Sequence, residues 1–293
     1  MFSAVRELLR EKQIELVAPI SLSDCRLTRK YLLEREGIEG GSVFIFAVPY
    51  LSSAAVGARR NISAYAAPPD YHAFFAELFK EMLPALRASF PDSRFVGFAD
   101  HSPIDERHAA ASAGLGILGD NGMLITEKYS SYVFLGEIIT DANAECRSRE
   151  PIRCEGCGAC RAACPYSFSG VCLSSLTQKK GILSAEEAAD IVKYGSAWGC
   201  DICQEVCPHT KRALSFGTAL SQIPFFNENI IPHLTADTVS EMSDSEFARR
   251  AYSWRGRETI IRNLTLLQTS QSPHKEFPSE NEEGRKETAK IPK

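Results

Sequence analysis

"CEGCGACRAACP" runs from Cys154 to Pro165 and sets four cysteines at spacings of two, two and three residues before a proline. Three thiolates on one tight loop can cap three irons of a cubane, while the next, carried along a helix, points away to another centre. A second group, "CDICQEVCP", brings Cys200, Cys203 and Cys207 to Pro208. Counted back from that proline, the same spacing asks for a cysteine at position 197, where the chain has Ala197.

The first run is the bacterial ferredoxin pattern, in which the fourth cysteine ligates the other cluster of a pair. Two cubanes need eight thiolates, and the two groups supply seven. Cys146 and Cys172 each lie eight residues outside the first motif, so distance does not choose between them. Cys172 falls between the motifs, where the connecting segment can fold back over the second cluster. The expected ligand sets are therefore Cys154, Cys157, Cys160 and Cys207 for one 4Fe–4S cluster. The other takes Cys164, Cys172, Cys200 and Cys203, and Cys25 and Cys146 remain ordinary thiols. Structural zinc is the rival, since a doubled C-x2-C is also a zinc-ribbon pattern. It would leave the later cysteines of each motif and both Cys-Pro endings unexplained.

The rest of the chain is ordinary. Its 293 residues are 44% hydrophobic and 24% charged, a globular composition. No apolar run approaches a membrane span. "MFSAVRELLREKQ" mixes apolar and charged residues at helical spacing, so it does not read as a signal peptide. A cytoplasmic protein is expected, and ten cysteines in a reducing compartment point to metal or redox chemistry, not disulfides. The net charge of -4 gives no hint of nucleic acid. "GARRN", "QKK", "TKR" and "WRGRETIIR" are each, taken alone, scattered solvated charge.

Residues 1–145 alternate strand-like and helix-like segments, which suggests an α/β sheet domain. "IELVAPI" (14–20), "SVFIFAVPY" (42–50), "RFVGFAD" (94–100) and "YVFLGEIIT" (132–140) read as buried strands. "SDCRLTRKYLLERE" (23–36) and "DYHAFFAELFKEMLPALRASF" (70–90) read as helices, the second kinked or ended at Pro84. Residues 146–215 form a cysteine-rich domain with short helices; within it Ser184 and Glu187 open a helix with a capping box. A helical segment follows over 216–268, with a second box at Ser243 and Glu246, and the polar residues 269–293 read as a disordered tail.

Clusters only move single electrons, so a wire this short must end at a partner or at another cofactor, and the first 145 residues are the place to look for one. "GLGILG" (114–119) fits a dinucleotide fingerprint in letters but not in context. That loop follows a strand and opens a helix, whereas here a helix, "IDERHAAASAG", precedes and a strand, "GMLIT", follows. Upstream, Asp100 ends a strand, with Ser102 expected to cap a helix begun by Pro103. Ligands collect at the carboxyl ends of strands in open α/β sheets, yet from position alone Asp100 reads first as a turn residue. His72 and His101 read as helix-surface and turn residues.

Taken together, several segments resemble the epoxyqueuosine reductases, cobalamin-dependent iron–sulfur enzymes of tRNA modification. They are "YAAPPDYH", "FADHSPIDERHAAASAGLGILGDNGMLI", "YVFLGEI", "CEGCGACRAACP", "CLSSLTQKKG" and "WGCDICQEVCP", between about residues 42 and 212. "CLSSLTQ" resembles the family segment with the eighth cluster cysteine, in agreement with Cys172, and "WRGRETIIRNL" resembles the segment after the cluster domain. The resemblance implies an α/β (α+β) cobalamin-binding domain similar to reductive dehalogenases, followed by a ferredoxin-like two-cluster domain. It implies conversion of epoxyqueuosine to queuosine in tRNA, with electrons from an external low-potential donor. It makes Asp100 the proton donor, kept protonated by burial beside the corrin. It sets the corrin against Gly122, Leu124, Thr177 and Asp201.

Three departures bear on the tRNA. The chain ends where longer members carry a helical-repeat module, so a short form with weaker binding, centred on the anticodon stem-loop, is expected. "YAAPPDYH" has prolines where the family has a Gly-Arg pair, and the stretch from Cys164 to Cys172 is shorter than usual. The expected phosphate contacts are Arg59, Arg60, Lys179, Lys180, Lys211 and Arg212. The alternatives are a corrinoid iron–sulfur reductase of another substrate and a plain two-cluster electron-transfer protein. The acid at a strand end argues against the second, because a docking module has no use for it.

Overall fold

In the computed structural model, which describes residues 1–270, four strands form one antiparallel sheet. They are β1 (Leu16–Ser21), β2 (Ser42–Pro49), β3 (Phe95–Phe98) and, after a short hairpin of β4 (Ile117–Leu118) and β5 (Leu124–Ile125), β6 (Val133–Thr140). The sheet order is β1-β2-β6-β3, with every neighbouring pair antiparallel. The fold is thus the α+β form, and the strand-end rule for parallel sheets does not account for where its ligands go.

The sheet is covered on both faces, which is why β2 reads as an unbroken apolar run: all eight of its residues are buried. Phe44, Phe46 and Val48 face the helices Phe2–Glu11 and Tyr71–Ser89. Val43 and Ile45 face the other way, toward Ala109, Ala110 and Ala111 of the helix Glu106–Ser112. Gly136 of β6 lets the long helix close on the sheet: a Cβ there would stand 2.4 Å from the Phe75 ring. That helix does not end at Pro84. It runs to Ser89, held by Met82 and Leu86, both buried on either side of the proline.

Other local expectations shift. Within 23–36 only Tyr31–Arg35 is α-helical, after a 3-10 turn at Leu22–Asp24. Asp105, not Ser102, caps the helix Glu106–Ser112, accepting from His108 N; Ser102 Oγ instead accepts from Ile104 N at 3.1 Å. Proline at 103 leaves room for one more turn before the helix. The segment 243–267 is broken into Asp244–Ala248, a 3-10 turn at Ser253–Arg255 and Arg257–Ser270, parted at Gly256 with its positive φ of 86°. Both capping boxes form. Of the expected tail, residues 271–293 lie outside the described residues.

The apolar cores do not divide at residue 145. Ala55, Ile62, Ala66 and Ala67 pack with Trp198, Tyr252, Ile260 and Leu264, and Ala213, Ile223 and Phe226 join the sheet core. The segment 61–65 is clamped onto the cysteine-rich half: Ser63 N donates to Trp198 O (2.7 Å), and Trp198 Nε1 to Tyr65 Oη (2.8 Å). Among the described residues no helix is long and apolar enough to cross a membrane.

Candidate active site

The first cysteine loop hangs on the β4–β5 hairpin. Cys154 N donates to Leu118 O (2.9 Å), Leu118 N to Ile152 O (2.8 Å), and Asp120 N to Cys154 Sγ (3.4 Å). Gly156 and Gly158 supply the left-handed turns, with φ of 65° and 76°, that curl the loop before the helix Ala159–Ala163. This brings Cys154, Cys157, Cys160 and Cys207 around one cavity of about 350 Å³, together with Asp120, His209 and Arg212.

The other four cysteines lie within electrostatic reach of one another, with Cys160 of the first set close enough to act on Cys203 as well. Burial first, then the neighbouring Cys172, Asp201 and Cys164, push the Cys200 thiol up to about 11. Burial and then Cys200, Cys172, Cys160 and Cys164 push Cys203 up to about 12. Thiols so crowded cannot all ionise beside one another unless a cationic centre compensates them. Among the described residues, no three His, Cys, Asp or Glu side chains converge as one metal ion requires. The first cysteine set borders a space far larger than one ion.

Cys25 and Cys146 stand elsewhere, at the start of β2. Cys25 Sγ donates to Ser21 O (3.4 Å) and Cys146 Sγ lies 3.8 Å from Ser42 Oγ. Ala197 is fully buried; its N–H donates to Asn61 O (2.7 Å) and its carbonyl accepts from Asn263 Nδ2 (2.9 Å). That position is built into the second core.

Asp100 sits on the turn between β3 and the helix Glu106–Ser112, with φ of 65°. His101 N donates to Ala99 O (2.7 Å) across the turn, and Asp100 N to Glu106 Oε1 (3.2 Å). Its carboxylate lies 3.5 Å from His72 Nε2, whose Nδ1 is 2.8 Å from Asp70 Oδ1. Asp70 caps the long helix, so the helix start presents His72 between two carboxylates. Those hydrogen bonds, Asp100's first, push His72 up to about 9. Asp100 is in turn held below the usual carboxylate range, chiefly by His72. With its side chain 66% exposed, Asp100 is set toward its charged form by His72, whereas the expectation of a protonated acid is for the corrin-bound site. The sequence reading passed over His72; an aspartate cap with histidine two residues on was the available signal.

Asp100 and Tyr71 share an open cleft of about 160 Å³ with Met123, Leu124, Val133, Phe134 and Leu135. Tyr71 stacks on Phe134 at 4.2 Å. Leu124 thus stands with Asp100, and Gly122, with φ of 77°, is tied nearby by Arg107 Nη1 donating to its carbonyl (2.8 Å). Thr177 and Asp201 are spent inside the protein. Thr177 Oγ1 accepts from Gly199 N (2.9 Å) and donates to Ser174 O (2.8 Å). Asp201, buried, accepts from Ser63 Oγ, from Ala64 N (2.7 Å) and from Arg60 (3.3 Å). The two halves meet where Ser130 Oγ bonds Thr210 Oγ1 (2.7 Å) and Ser131 Oγ donates to Gln204 Oε1 (3.0 Å).

The fold thus carries an apolar cleft edged by the Asp70–His72–Asp100 line and, in its cysteine-rich half, eight thiols in two sets. No family model matches the chain. It is 30% identical over 203 residues to the epoxyqueuosine reductase of Synechocystis, across 66% of this chain and 68% of that one. It is 34% identical over 197 residues to that of Gloeobacter violaceus, across 64% and 62%. The epoxyqueuosine reductase of Streptococcus thermophilus superimposes with a TM-score of 0.71 at 22% identity, over 91% of this chain and 80% of that one. An epoxyqueuosine reductase crystallised with an epoxyqueuosine-modified tRNA-Tyr stem loop superimposes at 0.69 with 25% identity, over 91% and 81%. The chain belongs to the epoxyqueuosine reductase family. It spans 62%, 57% and 58% of the lengths of three curated relatives.

Proposed function

We propose that this protein is a cytoplasmic oxidoreductase that reduces epoxyqueuosine to queuosine in tRNA, using two 4Fe–4S clusters, cobalamin and an external low-potential electron donor. The observation that carries the reading is the meeting, in one fold of this family, of two four-thiol sets with the Asp70–His72–Asp100 line. Cys154, Cys157, Cys160 and Cys207 would hold one cluster, and Cys164, Cys172, Cys200 and Cys203 the other. Met123, Leu124, Val133 and Phe134 offer an apolar wall that suits one face of a corrin, which would extend past the rim of so small a cleft. Gly122 would add backbone contact; Thr177 and Asp201 would act only through their main chain, since their side chains are engaged. When bound, cobalamin supplies the electron pair at the epoxide.

Removing the oxygen as water takes two electrons and two protons. Asp100 delivers one proton to the departing oxygen, drawing it from His72, which Asp70 keeps oriented, and the second comes from solvent at the exposed Asp100 edge of the cleft. The test is to give reduced, cobalamin-loaded protein epoxyqueuosine-containing tRNA and assay queuosine. Product that depends on cobalamin is expected; its absence under reduction overturns the reading. One observation favours a second reading, the same machinery on another substrate. Pro68 and Pro69 stand where the family has Gly-Arg, and nearby Arg250 is buried, donating to Ala67 O (3.3 Å) and Asn229 O (2.8 Å). Its charge is not available to phosphate.

A further inference from the structure

Glu137 lies in β6, the strand between β2 and β3, paired with Ile45 on one side and Phe98 on the other. It is completely buried, on the face that Val43, Ile45 and Ile139 share, and neither carboxyl oxygen has a hydrogen-bond partner. The Glu106 carboxyl, from the overlying helix, and the Ser102 hydroxyl, from the Asp100 turn, are the polar groups that face it. Cys25 feels it from the β1 side, and Asp100 and Arg107 act on Glu106. No cation is among the groups acting on Glu137.

Ionised carboxylates only accept hydrogen bonds. Without a proton, Glu137 would be an orphaned charge in an apolar core beside a second negative group, the costliest arrangement a carboxyl can have. One proton between the two removes both faults, with Glu137 donating to Glu106. Glu106 is then pinned from behind, and its Oε1 accepts Asp100 N–H at 3.2 Å. That bond fixes a non-glycine residue at φ of 65°, a conformation that persists only where its surroundings hold it.

We infer that Glu106 and Glu137 share a proton and act together as positioning residues that aim the Asp100 carboxylate into the cleft. The inference rests on the reading of Asp100 as proton donor. Burial, first among the causes, pushes Glu106 up to about 7 and Glu137 well above the carboxyl range, and the pair titrates as one unit. Because these values are raised, the contribution of the pair is complete below the ordinary 4.5. It begins to fade as Glu106 loses its proton through about 7, and is lost fully only at the higher pH where Glu137 gives up the proton between them.

The test needs neither substrate nor cobalamin. Infrared spectra of the full chain at pH 7 should show a protonated-carboxyl band that Glu137→Gln abolishes. Hydrogen exchange over residues 96–105 should quicken about five- to tenfold in Glu106→Ala, the loss of one hydrogen bond. In Glu106→Gln, whose amide oxygen still accepts, it should stay slow. If Glu106→Ala does not fold, Glu137→Gln serves. Its amide donates at every pH, so it should abolish the alkaline quickening expected of the native protein beyond the intrinsic rise of exchange with pH. A band unaffected by Glu137→Gln, or exchange unmoved by either variant, overturns the inference. In the queuosine assay Glu106→Ala should lower kcat about 100-fold with KM little changed. If the spectra hold while the native protein makes no queuosine, the reaction assignment falls and the carboxyl pair stands.

Discussion

Asp100 is the residue on which the proposed chemistry turns, and its environment is charged, not apolar. His72 is raised to about 9 by two carboxylates, so its share of stability is complete below the ordinary 6.5 and is lost as pH rises through 9. Asp100 is depressed, so its share is present above the ordinary 3.8 and is lost as pH falls through its lower value. Between those limits both charges coexist. An NMR titration should therefore find the His72 imidazole changing near 9. In Asp100→Asn the midpoint should move toward 6.5, stopping short of it because Asp70 remains. A native midpoint at or below 6.5 would remove the proton line. The same variant should keep its iron and bind cobalamin, yet lose turnover by about 100- to 10,000-fold. Near-normal turnover would make Asp100 a turn residue only. The carboxyl at 100 was legible in the sequence, but its electrostatics were not. They depend on a histidine 28 positions earlier, brought close by packing of the long helix on the sheet.

At the scale of elements, glycine φ angles and short helices leave the thiols of the first cysteine loop few directions. The choice of Cys172 over Cys146 is the sharp case. Cys172 acts electrostatically on Cys200 and Cys203, whereas Cys146 keeps company with Ser42 and Cys25. Anaerobic native protein should contain about eight irons per chain. Cys172→Ala should lose about four of them and Cys146→Ala none. Equal loss from both variants, or stoichiometric zinc in the native protein, would undo the ligand sets. The four main strands could be read because each is a run of apolar residues long enough to be nothing else. Their antiparallel order could not, since pairing is decided by tertiary contact and not by the strands' own letters. A carboxylate amid "YVFLGEIIT" was visible too, and a charge in a buried strand is the kind of inconsistency that marks a site.

Over the whole molecule, binding a polyanion at a net charge of -4 depends on which cations are free. Arg60 is not: it bonds Asp201, Glu205 and Ala55 O, and holds the 57–61 segment to the cysteine-rich half. Lys179 is paired with Glu187 at 2.6 Å. Among the described residues no ion pair engages Arg59, Lys180, Lys211 or Arg212, so four of the six expected phosphate contacts remain. Arg212 also borders the first thiol cavity and lies 6.0 Å from the Phe216 ring, which is 71% exposed. Each neutralised phosphate contributes about -0.7 to -0.9 to the log–log salt dependence of binding. Four contacts therefore predict a slope of about -3 for an anticodon stem-loop, against about -5 were all six engaged. Fluorescence anisotropy across a salt series would measure it. Arg212→Ala should flatten the slope by nearly one, and Arg60→Ala, through its ion pairs, should lower stability without changing the slope. A flat native slope, together with no queuosine from loaded enzyme, would leave a corrinoid reductase whose substrate is not a nucleic acid.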